Sequence, residues 1–283
     1  MIIAETIEAL QSQLVLQRKA GRSIGLVPTM GNLHQGHLQL VKTARQHADV
    51  VVVSLFVNPT QFGANEDLDS YPRTWQEDIN KLEALNTDIL FAPNVQQMYP
   101  LGGDNTSHVH VPDITHVLCG ASRPGHFDGV TTIVNKLFNI CRADVAIFGE
   151  KDWQQLAVIR RMVIDLNIPI KIIGEPIVRE QDGLAMSSRN GYLTTEQRQL
   201  APALYAELQT LKAALLDGDR DVLTLEQEAT SRLIELGFKP DYLHILDPLR
   251  LKPTQQNDKH FIILVAAFVG TTRLIDNLNV HCP

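Results

Sequence analysis

The sequence is poor in cysteine, with three in 283 residues. Cys119, Cys141 and Cys282 form no Cys-x-x-Cys pair, and their number is odd. This pattern argues against a disulfide framework and against a zinc site. It favours a reducing compartment, and we therefore expect a cytoplasmic protein.

The chain also lacks a long hydrophobic run. Its longest clean apolar stretch, Phe261 to Val269, has nine residues, whereas a membrane span needs about 20. Glu5 and Glu8 lie among the first apolar residues, and no basic segment precedes them, so a signal peptide is not expected. The sequence thus predicts neither a membrane protein nor a membrane partner.

Basic residues are in the minority, since 25 Lys and Arg stand against 32 Asp and Glu, for a net charge of −7. Nucleic-acid affinity depends strongly on neutralising phosphates, so we do not expect a nucleic-acid partner. A local basic pocket is still compatible with this charge. Hydrophobic residues make up 44% of the chain and charged residues 20%, which is typical of a folded protein with a sizeable core.

Short apolar segments alternate with helical patterns over the first 175 residues. After a helix predicted at 5–19, a strand at 24–28, a loop, a helix at 37–47 and a valine-rich strand at 49–57 form a βαβ unit. The alternation then continues with helices predicted at about 74–85, 130–141 and 153–166, and with strands at 88–92, 108–111, 145–148 and 170–173. Repeated βαβ units predict a parallel sheet covered on both faces, with ligands beyond the carboxyl ends of its strands.

The pattern changes near residue 175. One long helix is predicted over 194–216, entered through a capping box in which Gln197 reaches back to Thr194. A second helix is predicted at 223–236, followed by strands at 242–246, 260–269 and 272–275, the last two forming a hairpin around Gly270. The sequence therefore predicts an α/β domain over residues 1–175 and a smaller α+β domain over residues 176–283.

A loop with two histidines, residues 28–37, joins a buried strand to a helix. The start of a helix offers unpaired N–H groups and a positive dipole end, which suit a phosphate. His34 and His37 are three residues apart and share one side of the helix, and Gly31 and Gly36 would let the backbone approach a bulky anion. Two alternatives stay open, a surface turn with ordinary histidines and a His-x-x-His metal pair, although no third and fourth metal ligands are evident.

Two further segments combine groups that bind anions or hydroxyls. Met186 to Asn190 places two hydroxyls and one guanidinium within five residues, which is either an anion-binding group or a serine-rich turn between domains. Phe148 to Gln155 follows a strand and opens a helix. There, Gly149 would allow close approach of a nucleotide, Lys151 could meet a phosphate, Gln155 could contact a hydroxyl or carboxylate, and Asp152 is equally compatible with capping the helix.

Two loops carry candidate substrate contacts. Asn58 to Phe62 follows the valine-rich strand, and the Gln61 amide offers a donor and an acceptor suited to a hydroxy acid, although Asn-Pro alone also explains a turn. The segment Ser122 to Phe127 contains Arg123 and His126, which would either bind substrate or order the loop.

Taken in order along essentially the whole chain, these segments resemble the pantothenate synthetase family, the AMP-forming pantoate–β-alanine ligases. The His34-Gln35-Gly36-His37 segment is also similar to the His-x-Gly-His signature of the nucleotidylyltransferase superfamily, which includes class I aminoacyl-tRNA synthetases. The other segments that carry the resemblance are Tyr71-Pro72-Arg73-Thr74, Arg123-Pro124-Gly125-His126-Phe127, Phe148-Gly149-Glu150-Lys151-Asp152 and Ser187-Ser188-Arg189-Asn190-Gly191-Tyr192-Leu193.

The resemblance implies a Rossmann-like N-terminal domain, a smaller C-terminal domain and a homodimer. It implies that ATP, (R)-pantoate and β-alanine are converted to pantothenate, AMP and pyrophosphate through pantoyl adenylate, with Mg²⁺. No metal ligand among the residues is predicted, and Mg²⁺ would be held through the phosphates.

The resemblance also assigns residues. His37 matches a proton donor, and His34 and Lys151 are candidates for stabilising charge on the phosphates. Gln61 corresponds to a contact of pantoate and β-alanine, Gln155 to a contact of pantoate, and Asn58 and Arg123 are further substrate candidates. The implied ATP contacts are Met30, Gly31, Asn32, Leu33, His34, Gln35, Gly36, His37, Gly149, Glu150, Lys151, Asp152, Val178, Met186, Ser187, Ser188 and Arg189.

Three rival functions are weaker. Another nucleotidylyltransferase with a phosphorylated acceptor would call for more cationic residues than the glutamines Gln61 and Gln155. An RNA-binding relative of the synthetases conflicts with the acidic charge, and a non-catalytic nucleotide sensor conflicts with the intact histidine, lysine and serine–arginine sets.

Overall fold

The computed structural model describes residues 1–63, 66, 68–255 and 257–283. It divides into two compact units, Met1–Glu150 with Gln155–Pro176, and Lys151–Gln154 with Ile177–Pro283. Residues 151–154 thus group with the second unit, although they precede the boundary expected from the sequence. Among the residues described, no helix is long and apolar enough to cross a membrane.

The first unit is built on a parallel sheet with strand order β1-β4-β3-β2-β5-β6. Its strands are Ile2–Ala4 (β1), Ile24–Thr29 (β2), Val50–Leu55 (β3), Ile89–Phe91 (β4), Val145–Gly149 (β5) and Lys171–Glu175 (β6). The helices along this part of the chain are Ile7–Lys19 (α1), Gln35–His47 (α2), Trp75–Ala84 (α3), Val95–Met98 (α4), Cys119–Ser122 (α5), His126–Cys141 (α6) and Trp153–Asp165 (α7). The α/β class expected from the sequence is confirmed.

Burial on both faces explains the valine-rich strand β3. It pairs in parallel with β2 from Ile24 opposite Val50 to Thr29 opposite Leu55, and residues 50–53 are all buried. Branched side chains suit such a strand, and each one fully buried contributes on the order of 1.5–3 kcal/mol. Helix α2 covers one face of the sheet through Val41 and its neighbours. This packing fixes the strand–loop–helix segment that carries the two histidines.

The strand order creates a topological switch next to β2. The chain passes from β2 to β3 on one side, whereas β5, which is reached later, pairs with β2 on the other side through Gly25 and Leu26. Ligands of open α/β sheets bind beyond the carboxyl ends of the strands at such a point. The loops that follow β2 and β5 therefore start from the edge of the sheet where a ligand is expected.

The second unit contains an antiparallel sheet with strand order β7-β8-β9. Its strands are Lys239–Leu246 (β7), His260–Val269 (β8) and Thr272–His281 (β9), and its helices are Thr195–Leu200 (α8), Ala203–Leu216 (α9) and Val222–Glu235 (α10). Leu208 and Leu211 of α9 and Leu233 of α10 belong to one core with Phe261 and Ile263 of β8. The predicted hairpin at Gly270 and the capping box of Thr194 and Gln197 are both confirmed.

Two predicted elements are wrong. The single helix expected over 194–216 is two helices, because Pro202 has no N–H to continue the hydrogen-bond ladder. Residues 108–111 form no strand. The Thr131 hydroxyl donates to the carbonyl of Val109, and the Val109 N–H donates to the Thr132 hydroxyl at 3.0 Å. These two hydroxyls of α6 thus satisfy the N–H and carbonyl of Val109, which would otherwise need a neighbouring strand as their partner.

Candidate active site

A buried carboxylate on α3 holds the histidine loop. Asp78 accepts hydrogen bonds from the backbone N–H groups of Asn32 and Leu33, each at 2.8 Å. The Thr74 hydroxyl donates to the same carboxylate at 3.1 Å. Asp78 is 1% exposed, so water cannot readily replace these bonds. The loop backbone is therefore anchored just before α2 begins.

Gly31 is required by the backbone of this loop. Its φ is +88°, and an added Cβ would lie 3.2 Å from Asp78 Oδ2 and 3.2 Å from Leu55 Cδ2. Glycine adopts this conformation at little cost, whereas other residues are strained there. The turn and its packing thus explain this glycine without the close approach of an anion that the sequence suggested.

His34 and His37 form a reciprocal cap at the start of α2. His34 Nδ1 accepts a hydrogen bond from the Gly36 N–H at 3.1 Å, and His37 Nδ1 accepts one from the His34 N–H at 3.3 Å. A neutral imidazole has one donor and one acceptor nitrogen, so in both neutral rings Nε2 carries the proton. The ring centroids are 4.0 Å apart. The prediction that the two histidines share one side at the start of the helix is confirmed, and in each ring the cap uses Nδ1 while Nε2 carries the hydrogen.

The segment after β5 lies at the same end of the sheet as the histidine loop, because β2 and β5 are parallel neighbours. Gly149 ends β5, and an added Cβ there would meet no atom within 4 Å. Burial raises the pKa of Glu150, and the charge of Glu175 raises it further against a lowering effect of Arg160. Gln155, on the first turn of α7, is partly buried. The segment therefore has open space beside Gly149 and a carboxyl group whose ionisation is opposed.

Gln61 ends a 3-10 turn, Pro59–Gln61, that follows β3. Its Oε1 accepts a hydrogen bond from Asn58 Nδ2 at 3.1 Å. Its Nε2 lies 3.0 Å from the sulfur of Met30 and donates to it. The structure thus brings together three residues that the sequence analysis assigned to the site, namely Met30, Asn58 and Gln61.

Asn58 supports this turn from inside the protein. It is 1% exposed. Its Oδ1 accepts from the hydroxyls of Tyr99 at 2.8 Å and Thr60 at 3.0 Å, and its Nδ2 also donates to the Gly129 carbonyl at 3.2 Å. Both polar atoms of Asn58 are thus engaged by the protein, which makes it a support for Gln61.

Arg123, the fourth substrate candidate, contacts the backbone of Gln61 and not its side chain. Arg123 forms a bidentate ion pair with Glu66, at 2.6 and 2.5 Å, and donates to the Gln61 carbonyl at 3.4 Å. His126 Nδ1 lies 2.8 Å from the same carbonyl oxygen. Burial opposes ionisation of Glu66, but the hydrogen bond and charge of Arg123 outweigh it and hold the pKa of Glu66 below its ordinary value.

The second unit carries the serine–arginine segment. The Met186 N–H donates to the Val178 carbonyl at 3.0 Å, so these two predicted ATP contacts are neighbours across a short turn. Ser187 caps the following 3-10 turn, Ser188–Tyr192, by accepting from the Arg189 N–H at 3.3 Å. These two hydrogen bonds therefore hold the backbone of the predicted cluster, residues 186–189.

An ion pair stabilises the part of β9 that is hydrogen-bonded to the backbone of Lys151. Arg179 binds Asp276 at 2.6 and 2.9 Å, and its guanidinium lies 3.6 Å from the centre of the Tyr205 ring. Burial raises the pKa of Asp276, although Arg179 acts in the opposite direction. The neighbouring Asn277 donates through Nδ2 to the Lys151 carbonyl at 2.9 Å, which fixes the backbone of Lys151.

Asp78 is a functional residue that the sequence patterns do not predict, and they leave the role of His126 open. The signal for Asp78 was present, because it shares the buried side of α3 with Ile79 and Leu82, where a carboxylate needs partners. Within the residues described, three or more His, Cys, Asp or Glu side chains never cluster in a way that could hold a metal ion.

The parallel sheet, its switch point and the capped histidine pair define an α/β protein with a candidate ligand site at the carboxyl ends of the strands. The chain matches the family described as pantoate-beta-alanine ligase over residues 2–279, and it belongs to that family. It is therefore a ligase, as expected from the sequence.

Relatives support this assignment along the full length. The pantothenate synthetase of Pseudomonas putida KT2440 is 55% identical over 281 residues, which cover 99% of this chain and 98% of the relative. The pantothenate synthetase of Marinobacter nauticus is 52% identical over 280 residues, with 99% of both chains covered.

Solved structures agree in fold. The pantothenate synthetase of Thermus thermophilus superposes with a TM-score of 0.93 at 43% identity, covering 99% of this chain and 100% of the other. The pantoate-beta-alanine ligase of Francisella tularensis, complexed with beta-gamma ATP and beta-alanine, has a TM-score of 0.81 at 37% identity, covering 98% and 97%.

Proposed function

We propose that this chain condenses (R)-pantoate with β-alanine to pantothenate while ATP is converted to AMP and pyrophosphate through pantoyl adenylate. Membership of the ligase family over residues 2–279 supports the overall reaction. The Francisella relative, complexed with beta-gamma ATP and beta-alanine, supports two of the three substrates. The observation that supports an adenylate is the capped histidine pair, whose Nε2–H groups could donate to the phosphates of ATP.

In the first step, a carboxylate oxygen of pantoate attacks the α-phosphorus of ATP. The bond from that phosphorus to the bridging oxygen breaks, and pyrophosphate leaves with the electron pair. Pantoate is already ionised at pH 7, so the step needs positioning and charge stabilisation rather than a base. His34 and His37 would each donate an Nε2–H to the phosphates, since their Nδ1 atoms accept backbone hydrogen bonds.

The other proposed ATP contacts follow the resemblance and their own chemistry. In the first unit they are Met30, Gly31, Asn32, Leu33, Gln35, Gly36, Gly149 and Glu150. In the second unit they are Lys151, Asp152, Val178, Met186, Ser187, Ser188 and Arg189. Of these, Lys151 and Arg189 supply positive charge, and the serines supply hydroxyl donors.

In the second step, the amine of β-alanine attacks the acyl carbon of pantoyl adenylate. AMP leaves with the electron pair of the C–O bond, and the nitrogen loses a proton. We assign the acid substrates to Gln61 and Gln155. Gln61 Nε2 donates to the sulfur of Met30, which is a weak acceptor, so a substrate oxygen would replace it favourably. Asn58 and Arg123 would act by supporting Gln61.

Mg²⁺, a homodimer and a cytoplasmic location belong to the proposal. The described residues form no metal-binding cluster, so Mg²⁺ would arrive on the ATP phosphates, and no step is assigned to a metal held by the protein. The homodimer follows from the resemblance. Cysteine usage supports the cytoplasm, since Cys141 and Cys282 form no disulfide.

Isotope transfer tests the proposed intermediate. With pantoate carrying ¹⁸O in both carboxylate oxygens, one labelled oxygen should appear in the phosphate of AMP, because the attacking oxygen stays on the α-phosphorus. Unlabelled AMP, or label in inorganic phosphate, would contradict an adenylate.

A further inference from the structure

We infer that His126 and Arg123 are positioning residues that fix Gln61 through its backbone carbonyl. This inference rests on the proposed role of Gln61 at the acid substrates. The sequence left the role of the segment from Ser122 to Phe127 open. The inference assigns this segment to the positioning of Gln61.

Each nitrogen of the His126 ring has a defined hydrogen-bonding role. Nδ1 lies 2.8 Å from the Gln61 carbonyl oxygen, which only accepts, so Nδ1 carries a proton. Nε2 lies 3.0 Å from Arg123 Nη1, which only donates, so Nε2 accepts. The contacts on both sides therefore select one tautomer of a neutral ring. That tautomer donates to Gln61.

The Arg123 guanidinium is committed to the protein. Its Nε and Nη2 bind the two oxygens of Glu66, Nη1 faces His126, and Nη2 also reaches the Gln61 carbonyl. The Arg123 side chain is 20% exposed and that of Glu66 is 24% exposed. A substrate carboxylate would have to displace Glu66 from a bidentate ion pair. The geometry thus favours support of Gln61 over direct contact with substrate.

Helix α6 also packs closely against the turn Pro59–Gln61. An added Cβ on Gly129 would lie 2.3 Å from the Thr60 carbonyl oxygen and 2.7 Å from the Gln61 nitrogen. Helix α6, which begins at His126, therefore meets the turn of Gln61 backbone to backbone. Without the His126 hydrogen bond, the last carbonyl of the turn would lose a partner and the Gln61 amide would be less restricted.

The expected consequence is a selective loss in use of the acid substrates. Misplacement of a contact group by about 1 Å can cost on the order of 10²-fold in rate, and partial loosening should cost less. We expect His126→Ala to lower kcat/KM for pantoate by about tenfold while the KM for ATP changes little.

Variants at 126 and 61 test the hydrogen bond and its target. The amide nitrogen of asparagine can take the place of imidazole Nδ1, so His126→Asn should keep kcat/KM for pantoate within about threefold of the wild type. In a Gln61→Ala background, adding His126→Ala should have almost no further effect, because coupled residues are not additive. Arg123→Lys should behave like His126→Ala in both backgrounds, and melting curves report whether each variant folds.

Three results separate the possibilities. Equal losses from His126→Ala with and without Gln61 would show an independent role of His126 and overturn the inference. A folded Asn variant whose kcat/KM for pantoate falls about tenfold or more below the wild type would overturn the hydrogen-bond explanation, and this result stands even if the Ala variant does not fold. Wild-type protein without pantoate-dependent activity would instead overturn the proposed function, and the inference with it.

Discussion

The Nδ1 atom of His37 accepts a hydrogen bond from the backbone N–H of His34 at 3.3 Å, and the two side chains cap α2 reciprocally. The atoms that stabilise the helix are therefore the Nδ1 atoms, whereas the proposed contacts with phosphate use the Nε2 atoms. Because one side chain serves both purposes, an alanine substitution removes both at once. A capping residue without an imidazole can separate them.

His34→Asn is the variant that makes this separation. Asparagine is a good N-cap, whereas alanine at such a position costs about 1 kcal/mol. Both variants should lower the adenylation rate by about 10²–10³, the scale for losing one preorganised donor, but only His34→Ala should lower the thermal midpoint. Single-turnover adenylation and melting curves measure the two effects. An Asn variant with the full adenylation rate would contradict a catalytic role for His34.

The loop anchor at Asp78 should matter for both stability and rate. Asp78→Asn turns one acceptor oxygen into an NH₂ group that faces a backbone N–H, and we expect the free energy of unfolding to fall by about 1–3 kcal/mol. Adenylation should slow and the KM for ATP should rise, because the histidine loop loses an anchor. The matched control is Glu77→Gln on the same helix, whose side chain is 71% exposed. Denaturant midpoints equal for the two variants would contradict the anchoring role.

The Glu66–Arg123 pair predicts a pH dependence of stability. The pKa of Glu66 is lowered in the folded state because Arg123 outweighs the effect of burial. The pair therefore stabilises the protein above the unfolded pKa of about 4.3 and loses this contribution as the pH falls through the lower folded pKa. The difference in thermal midpoint between the wild type and Glu66→Gln should be largest above about pH 5 and should shrink below about pH 4. A constant difference across this range would contradict the prediction.

Local patterns predicted much of the fold and part of the site. Apolar periodicity and the valine-rich strand located β2, α2 and β3, and with them the loop of His34 and His37. The failures involve partners distant in sequence. Residues 108–111 hydrogen-bond to Thr131 and Thr132 of α6, and the carboxylate of Asp78 binds backbone more than 40 residues away. No periodicity reports such contacts, because they exist only once the sheet has brought the loops together.

The strongest test of the account is ATP–pyrophosphate exchange with labelled pyrophosphate. The wild-type chain should catalyse exchange when pantoate is present and β-alanine is absent, because the first step alone makes and unmakes pantoyl adenylate. Other small acids at the same concentration should support far less exchange. Exchange without any acid, exchange only with a phosphorylated acceptor, or no exchange until β-alanine is added would contradict the account.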